Sequence, residues 1–187
     1  MKEIRFHGRG GQGTVVASIV MAKACFAAGW FVQSFPVFGV ERRGAPVEAY
    51  LRLDRSRIWV RSNVYTPDHV VVQDLRLLDT VDITRGLKPG GWIVLNSAAM
   101  PAESTRFAGY RLALVDATRI AQKHRLGSPT QPMINTAMIG AASRAFEMPP
   151  FGVLSDVIRD EIPSYPERNI AAATEAYDTV DRIGPIE

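Results

Sequence analysis

The residues best suited to chemistry form one short glycine-rich run, GRGGQG at positions 8–13. It follows the apolar-alternating residues 4–7 and precedes the small-residue stretch 14–28, which has the spacing of a helix. Glycines permit a tight turn, and the backbone N–H groups at the start of a helix favour an anion. The pattern therefore predicts a phosphate-binding loop. The alternative is a turn whose glycines only allow the helix to pack closely on a sheet.

Gly8, Gly10 and Gly13 also fit the G-x-G-x-x-G pattern of dinucleotide-binding folds. Such a site carries an acidic residue about 20 positions later, which binds the ribose hydroxyls. The first acid after the loop is Glu41, and residues 31–36 contain none. An independent NAD(P)-dependent oxidoreductase is therefore disfavoured. It stays open because arginines beside Glu41 suit the phosphate of NADP.

A second candidate loop, VERRGAP at residues 40–46, places Arg42 and Arg43 next to Gly44. Adjacent guanidinium groups can grip a carboxylate, phosphate or diphosphate, and glycine leaves room for it. The same pair could instead bond to Glu41, to a helix C-terminus or across a subunit interface. No single motif contains a matched acid and base, so we predict no catalytic residue in this chain.

Composition narrows the class of protein. The 187 residues are 47% hydrophobic, which suits one globular domain spanning residues 1–187. A net charge of +3 is too small to indicate a nucleic-acid partner. No apolar segment reaches the length of a membrane span and no signal-peptide pattern is present, so we expect a cytoplasmic protein.

Cysteine and histidine usage excludes several kinds of site. Cys25 is the only cysteine, so the chain has no internal disulfide, four-cysteine zinc site or iron–sulfur cluster of its own. It lies in the first predicted helix, where a buried structural role is favoured. His7, His69 and His124 lack the spacing of metal ligands, so no metal site is predicted.

The rest of the sequence alternates strands with helices. Predicted extended segments are 31–38, 47–53, 58–60, 70–72, 93–95 and 112–115, of which the first two could pair antiparallel. Predicted helices are 14–28, 117–126, a helix from 132 to the break at 149–150, 153–161 and 167–183. This order predicts an α/β fold, a three-layer α/β/α Rossmann-like single domain with a mixed sheet and a helical C-terminal third. Functional residues are then expected in loops at the strand ends.

Several motifs together resemble one known family. They are FHGRGGQG at 6–13, FP and FG at 35–36 and 38–39, ERRGAPV at 41–47 and NTAMIGA at 135–141. In this order, and over nearly the whole chain, they resemble the gamma subunit of 2-oxoacid:ferredoxin oxidoreductases, called domain III where the subunits are fused.

The resemblance implies a subunit of a larger enzyme of anaerobic metabolism, inactive alone. Such complexes decarboxylate a 2-oxoacid on thiamine diphosphate, with magnesium, and form an acyl-coenzyme A. Electrons pass through iron–sulfur clusters to ferredoxin, or to NAD through an extra subunit. In this family the thiamine diphosphate lies mainly between the alpha and beta subunits, and the clusters lie in a ferredoxin-like delta subunit and often in beta. The identity of the 2-oxoacid is not encoded in this chain.

The resemblance also suggests a ligand for the two loops, coenzyme A, whose diphosphate and 3′-phosphate suit glycine N–H groups and guanidinium groups. The candidate contacts are Gly8, Arg9, Gly10, Gly11, Gln12, Gly13, Arg42, Arg43 and Asn135. Alternatively, the same loops dock the sister subunits and the chain is a pure assembly scaffold. The aromatic residues Trp30, Phe31, Phe35 and Phe38 could serve such docking or the chain's own core.

Overall fold

The computed structural model describes residues 1–37 and 44–186. The strands are β1 (Lys2–Arg9), β2 (Phe31–Val37), β3 (Pro46–Asp54), β4 (His69–Val72), β5 (Trp92–Asn96), β6 (Arg111–Val115), β7 (Gly127–Ser128), β8 (Gln131–Pro132) and β9 (Asp181–Pro185). The helices are α1 (Thr14–Ala27), α2 (Ala117–Lys123), α3 (Asn135–Phe146), α4 (Phe151–Glu161) and α5 (Pro166–Thr179). Short 3₁₀ turns cover Leu75–Asp79 and Ser104–Phe107.

Seven strands form one mixed sheet in the order β2-β3-β1-β4-β5-β6-β9. The four strands β1, β4, β5 and β6 are parallel, whereas β3 runs antiparallel to both β1 and β2, and β9 antiparallel to β6. Because the central strands are parallel, their carboxyl ends meet at one edge of the sheet. The α/β class, the mixed sheet and the antiparallel pairing of the two segments after α1 are confirmed.

The two faces of the sheet are covered differently. All five α-helices contribute to a large apolar cluster on one face, together with Ile4, Phe6 and Leu51 of the sheet. The smaller cluster on the other face, which includes Val72 and Leu95, is packed by loop and 3₁₀-turn residues rather than by helices. The second outer layer is therefore built from short turns among the described residues.

Local signals explain several element boundaries. Helix α1 stops where Gly29 takes a left-handed backbone with φ of +84°, a conformation that glycine adopts without steric cost. Helix α5 starts at Pro166, whose missing N–H has no role in a first turn. Strand β4 ends in three consecutive buried valines at 70–72, as expected for a strand buried on both faces.

Two sequence predictions are wrong at the level of elements. The last helix ends at Thr179 instead of residue 183, because residues 181–185 form β9 beside β6 and Ile183 packs on the smaller cluster. Residues 58–60 form no strand and belong to an irregular loop. In the part of the chain that the structure describes, no helix is long and apolar enough to cross a membrane.

Candidate functional site

A pocket of about 490 Å³ opens at the carboxyl edge of the parallel strands. Its walls include residues 9–12 at and after the end of β1, residues 73–76 after β4 and Asn96 at the end of β5. The chain leaves β1 through α1 toward the helix-covered face and leaves β4 through a 3₁₀ turn toward the other face. Ligands of α/β proteins bind where consecutive connections part in this way. The pocket therefore occupies the expected position for a ligand site.

The glycine-rich loop forms one wall as a tight turn. The Gln12 N–H donates to the Arg9 carbonyl at 3.0 Å, and the Arg9 N–H donates to Gln12 Oε1 at 2.8 Å. Gly11 and Gly13 have φ of +95° and +73°, which explains why glycine stands at both positions. At Gly8 a Cβ would overlap the Thr14 hydroxyl. Sequence and geometry thus agree on a strand-turn-helix junction.

Part of the loop's backbone is already bonded within the protein. Besides the two bonds of the turn, the Gly10 N–H donates to the Ala45 carbonyl at 2.9 Å. Among the described contacts, the N–H groups of Gly11 and Gly13 have no such acceptor. A phosphate at this loop would therefore find fewer free backbone donors than the glycine pattern suggests, and charged side chains become more important.

Asp74 organises those side chains. Its Oδ2 accepts from Gln12 Nε2 at 3.2 Å and from Arg76 Nη2 at 2.8 Å, and lies 3.1 Å from Arg9 Nε. The hydrogen bonds from Arg76 hold the pKa of the Asp74 carboxyl below its usual range. The ionised carboxylate fixes two guanidinium groups in the pocket wall. Because the two guanidinium groups carry one more charge than the Asp74 carboxylate neutralises, this wall favours an anionic ligand.

Gln73 is fully buried in the same wall. Its Oε1 accepts from Thr14 Oγ1 at 2.5 Å, and its Nε2 has no hydrogen-bond partner among the described residues. Exchanging the amide oxygen and nitrogen would satisfy one atom and leave the other unpaired, so one polar atom is left over in either orientation. An unpaired buried amide costs about 1–3 kcal/mol. A ligand with a complementary group would remove that cost.

The structure brings the two predicted loops together. Arg9 Nη1 donates to the Gly44 carbonyl at 3.0 Å, and Gly44 lines the pocket beside the glycine-rich loop. Arg42 and Arg43 lie outside the described residues. The candidate residues that line the pocket are Arg9, Gly10, Gly11 and Gln12.

Asn135 lies beneath the loop. A Cβ at Gly13 would be 2.9 Å from Asn135 Nδ2, and Asn135 Oδ1 accepts from the Thr136 N–H at 3.0 Å. Asn135 is buried and is not part of the described pocket wall. In this arrangement it supports the turn from below.

Sequence reasoning missed Gln73, Asp74 and Arg76. A signal was present, because Gln73 and Asp74 follow the buried valine run directly, at the carboxyl end of a strand parallel to β1. Polar residues at that position face the crevice in α/β folds.

Cys25 and His7 are buried, whereas His69 and His124 are half-buried. Burial raises the pKa of the Cys25 thiol to about 12, so it is not a reactive thiolate at neutral pH. Burial lowers the pKa of His7 to about 3 and that of His69 to about 4. Over residues 1–37 and 44–186, no group of three His, Cys, Asp or Glu side chains is arranged to hold a metal ion.

Comparison with known proteins gives consistent matches. The family model described as pyruvate ferredoxin/flavodoxin oxidoreductase matches residues 3–179. The pyruvate/ketoisovalerate oxidoreductases common subunit gamma of Thermococcus kodakarensis is 46% identical over 182 residues, covering 95% of this chain and 96% of the relative. The crystal structure of a pyruvate oxidoreductase subunit from Thermotoga maritima superposes with a TM-score of 0.82 at 32% identity, over 97% of both chains.

A larger protein contains the same fold. The 2-oxoglutarate:ferredoxin oxidoreductase of Magnetococcus marinus, solved with 2-oxoglutarate, coenzyme A and succinyl-CoA bound, matches 95% of this chain with a TM-score of 0.73. The match uses 30% of that chain, at 23% identity, and shows the fold alone. Given the family model over residues 3–179 and near-complete coverage of a gamma subunit, this chain belongs to the pyruvate ferredoxin/flavodoxin oxidoreductase family, as a gamma-type subunit.

Proposed function

We propose that this gamma-type subunit holds coenzyme A for a complex that converts a 2-oxoacid to an acyl-coenzyme A. The relatives are named as subunits of pyruvate and ketoisovalerate oxidoreductases, and the Magnetococcus protein was solved with coenzyme A. The proposed complex is cytoplasmic, contains alpha, beta and delta subunits, and delivers electrons to ferredoxin or NAD. We assign thiamine diphosphate and magnesium to the partner subunits on the family resemblance. The iron–sulfur clusters are assigned there too, since the sole cysteine here is buried.

One observation carries the assignment: the carboxylate of Asp74 fixes the guanidinium groups of Arg9 and Arg76 in the wall of a pocket. The same wall holds Gln73, whose Nε2 has no hydrogen-bond partner among the described residues. Coenzyme A is an anionic ligand with phosphates at one end and two amides in its arm. Guanidinium groups suit the phosphates, and a neutral buried amide suits an amide of the arm.

Each residue then has a role in holding the ligand. Arg9 and Arg76 neutralise phosphate charge, and we assign Arg42 and Arg43 to the same task because Gly44, which follows them, lines the pocket. The glycines admit the ligand close to the backbone, and Gln73 donates to a carbonyl of the arm. Bound coenzyme A supplies the thiol that receives the acyl group. The residues of this chain bind and orient it.

Steady-state kinetics of the assembled complex test the proposal. In separate variants, Arg76→Ala and the double change Arg42→Ala with Arg43→Ala should raise the KM for coenzyme A about tenfold, which corresponds to about 1.4 kcal/mol of lost binding. The KM for the 2-oxoacid should not change. Arg168→Ala, at an exposed arginine that does not line the pocket, is the matched control.

Two outcomes favour the alternatives. An unchanged KM for coenzyme A in an intact complex would support a pure assembly scaffold. Binding of a nicotinamide nucleotide to the isolated chain, measured by calorimetry, would support an independent NAD(P)-dependent oxidoreductase.

A further inference from the structure

A second surface of the molecule has the character of a contact site. Residues 55–68 connect β3 to β4 without regular secondary structure, and their first part, residues 55–66, reads RSRIWVRSNVYT. Asp68, near the end of the connection, is paired with Lys88. We call residues 55–66 the arginine-aromatic loop. It contains three arginines and no acidic residue. Trp59 and Tyr65 are 73% and 69% exposed, an unusual arrangement for large aromatic side chains.

The loop is held in shape by a buried arginine beneath it. Arg52 is 1% exposed, and its Nη2 donates to the Ser62 carbonyl at 2.7 Å and the Asn63 carbonyl at 3.1 Å. Its Nε donates to Glu3 Oε1 at 2.7 Å, which fixes the guanidinium from the other side. Charge-assisted bonds to two consecutive carbonyls give the loop one defined path.

Packing fixes the end of the loop. Val64 is buried, and the Tyr65 carbonyl lies so close to Gly86 that a Cβ there would overlap it. Pro67, just after the loop, accepts a hydrogen bond from the Lys88 N–H at 3.0 Å. The exposed aromatic side chains therefore extend from a supported backbone. A preset surface loses less conformational freedom when it binds a partner.

In the part of the chain that the structure describes, the arginines of the loop are available to bind carboxylates. The Arg57 guanidinium lies 4.3 Å from the centroid of Trp59, and that of Arg55 lies 3.7 Å from the centroid of Trp30. Stacking on a ring leaves the N–H edges of a guanidinium open. Within the described ranges, neither these arginines nor Arg61 has an acidic partner.

We propose that the arginine-aromatic loop docks onto a carboxylate-bearing face of a partner subunit in the same complex. Tryptophan, tyrosine and arginine are the residue types that contribute most to protein interfaces. Three arginines that have no acidic partner among the described residues select an acidic partner surface. Membership in a family of subunits favours a protein over a nucleic acid. The loop shares no wall residue with the pocket, so the proposal stands independently of coenzyme A.

Zero-length cross-linking in the assembled complex tests the contact directly. A carbodiimide joins an amine to a carboxylate that touches it, so arginine itself does not react. In the double variant Arg57→Lys with Arg61→Lys, mass spectrometry should find cross-links from position 57 or 61 to Asp or Glu of another subunit. Arg168→Lys is the matched control, because Arg168 also stacks on an exposed aromatic residue, 4.5 Å from the Tyr165 centroid. An assembled complex without cross-links from either position, or with equal cross-linking at the control, overturns the proposal.

Affinity gives the second test. Arg57→Glu with Arg61→Glu, and separately Trp59→Ala, should weaken association of the tagged chain with the other subunits about tenfold or more, with Arg168→Glu unchanged. In complex assembled at high protein concentration, the KM for coenzyme A should stay at the wild-type value. Unaltered association overturns the proposal. So does loss of oligonucleotide binding in these variants with assembly intact, which would identify a nucleic-acid surface.

Discussion

Among the described residues, one face of the sheet is covered by turns and loops, and the two halves of that face differ in the kind of side chain they bury. In the half formed by β4, β5 and β6, this face is apolar, and Val70, Val72 and Leu95 are fully buried. Under β1 to β3 it carries buried polar side chains, among them Arg5 and Arg52. Both halves are shielded from water, but the first excludes it with hydrocarbon and the second with paired charges and hydrogen bonds.

The polar half works only because its groups are paired. Arg5 Nη2 donates to the carbonyls of Ile83 and Arg85 at 2.9 and 2.8 Å, and Arg5 Nε donates to His7 Nε2 at 2.9 Å. These bonds tie β1 to the segment that follows the first 3₁₀ turn. Hydrogen bonds have direction whereas apolar contacts do not, so the polar half fixes the paths of loops and the apolar half chiefly supplies cohesion.

The largest effect is expected from breaking the buried ion pair. Arg52→Met leaves Glu3 buried without its cation, so we expect the free energy of unfolding to fall by about 3–5 kcal/mol. Denaturant unfolding of the variant measures it. Adding Glu3→Gln should recover part of the loss, because both charges are then removed together. Equal stability of the single and double variants would contradict this account.

A cavity in the apolar half should cost slightly less. Leu95→Ala removes a fully buried side chain between β4 and β6, and the expected loss is about 2–5 kcal/mol. The same denaturant measurement applies. Unlike the arginine variant, Leu95→Ala should leave association through the arginine-aromatic loop unaffected, since it does not touch the support of that loop.

The polar half should also respond to pH. Burial, and next the charge of Arg5, hold the pKa of His7 at about 3, whereas an unfolded histidine titrates near 6.5. Between these two pKa values the unfolded state binds a proton at His7 and the folded state does not. The free energy of unfolding therefore falls as the pH drops from about 6.5 toward 3. The slope from His7 approaches about 1.4 kcal/mol per pH unit.

His7→Gln keeps an acceptor for Arg5 Nε and should flatten this dependence between pH 7.5 and 5, as followed by the denaturant midpoint. His69, with a pKa of about 4, contributes to the pH dependence of stability with the same sign, and this contribution should persist in the His7 variant. A variant whose slope equals that of the wild type would show that His7 is not responsible.

The smallest effect is expected from trimming the apolar half without opening a large cavity. Ile93→Val removes one methyl group from a fully buried residue, and about 0.5–1.5 kcal/mol should be lost. Thermal unfolding is sensitive enough to detect it. A loss comparable to that of Arg52→Met would mean that stability is as sensitive to small changes in the apolar half as in the polar half.

Sequence patterns predicted what is local. The valine run of β4, the glycine turn and the start of α1 follow from composition and spacing over a few residues. The ion pair of Arg9 with Asp74 and the hydrogen bond from Gln12 to Asp74 join residues more than sixty positions apart, and no periodicity encodes them. Strand β9 was missed for the same reason, since its place beside β6 is set by tertiary pairing.

In the arginine-aromatic loop the sequence predicts only a short strand at 58–60, because Ile58, Trp59 and Val60 form an apolar run. Such a stretch is indistinguishable from an ordinary strand and turn until Trp59 and Tyr65 are seen to be exposed. Side-chain exposure depends on Arg52 and Gly86 holding the backbone in place. These two contacts form only in the folded chain, so the sequence alone does not reveal the exposure of the aromatic side chains.

The shared carboxylate of Asp74 also constrains how this pocket can evolve. Arg9, Gln12 and Arg76 all reach it, so a change of charge at any one of these positions alters the orientation of the others. We expect relatives that bind a different ligand to differ at all four positions of this cluster. A change at only one of the four positions should be rare. The four positions, although distant in the sequence, would thus change together in evolution.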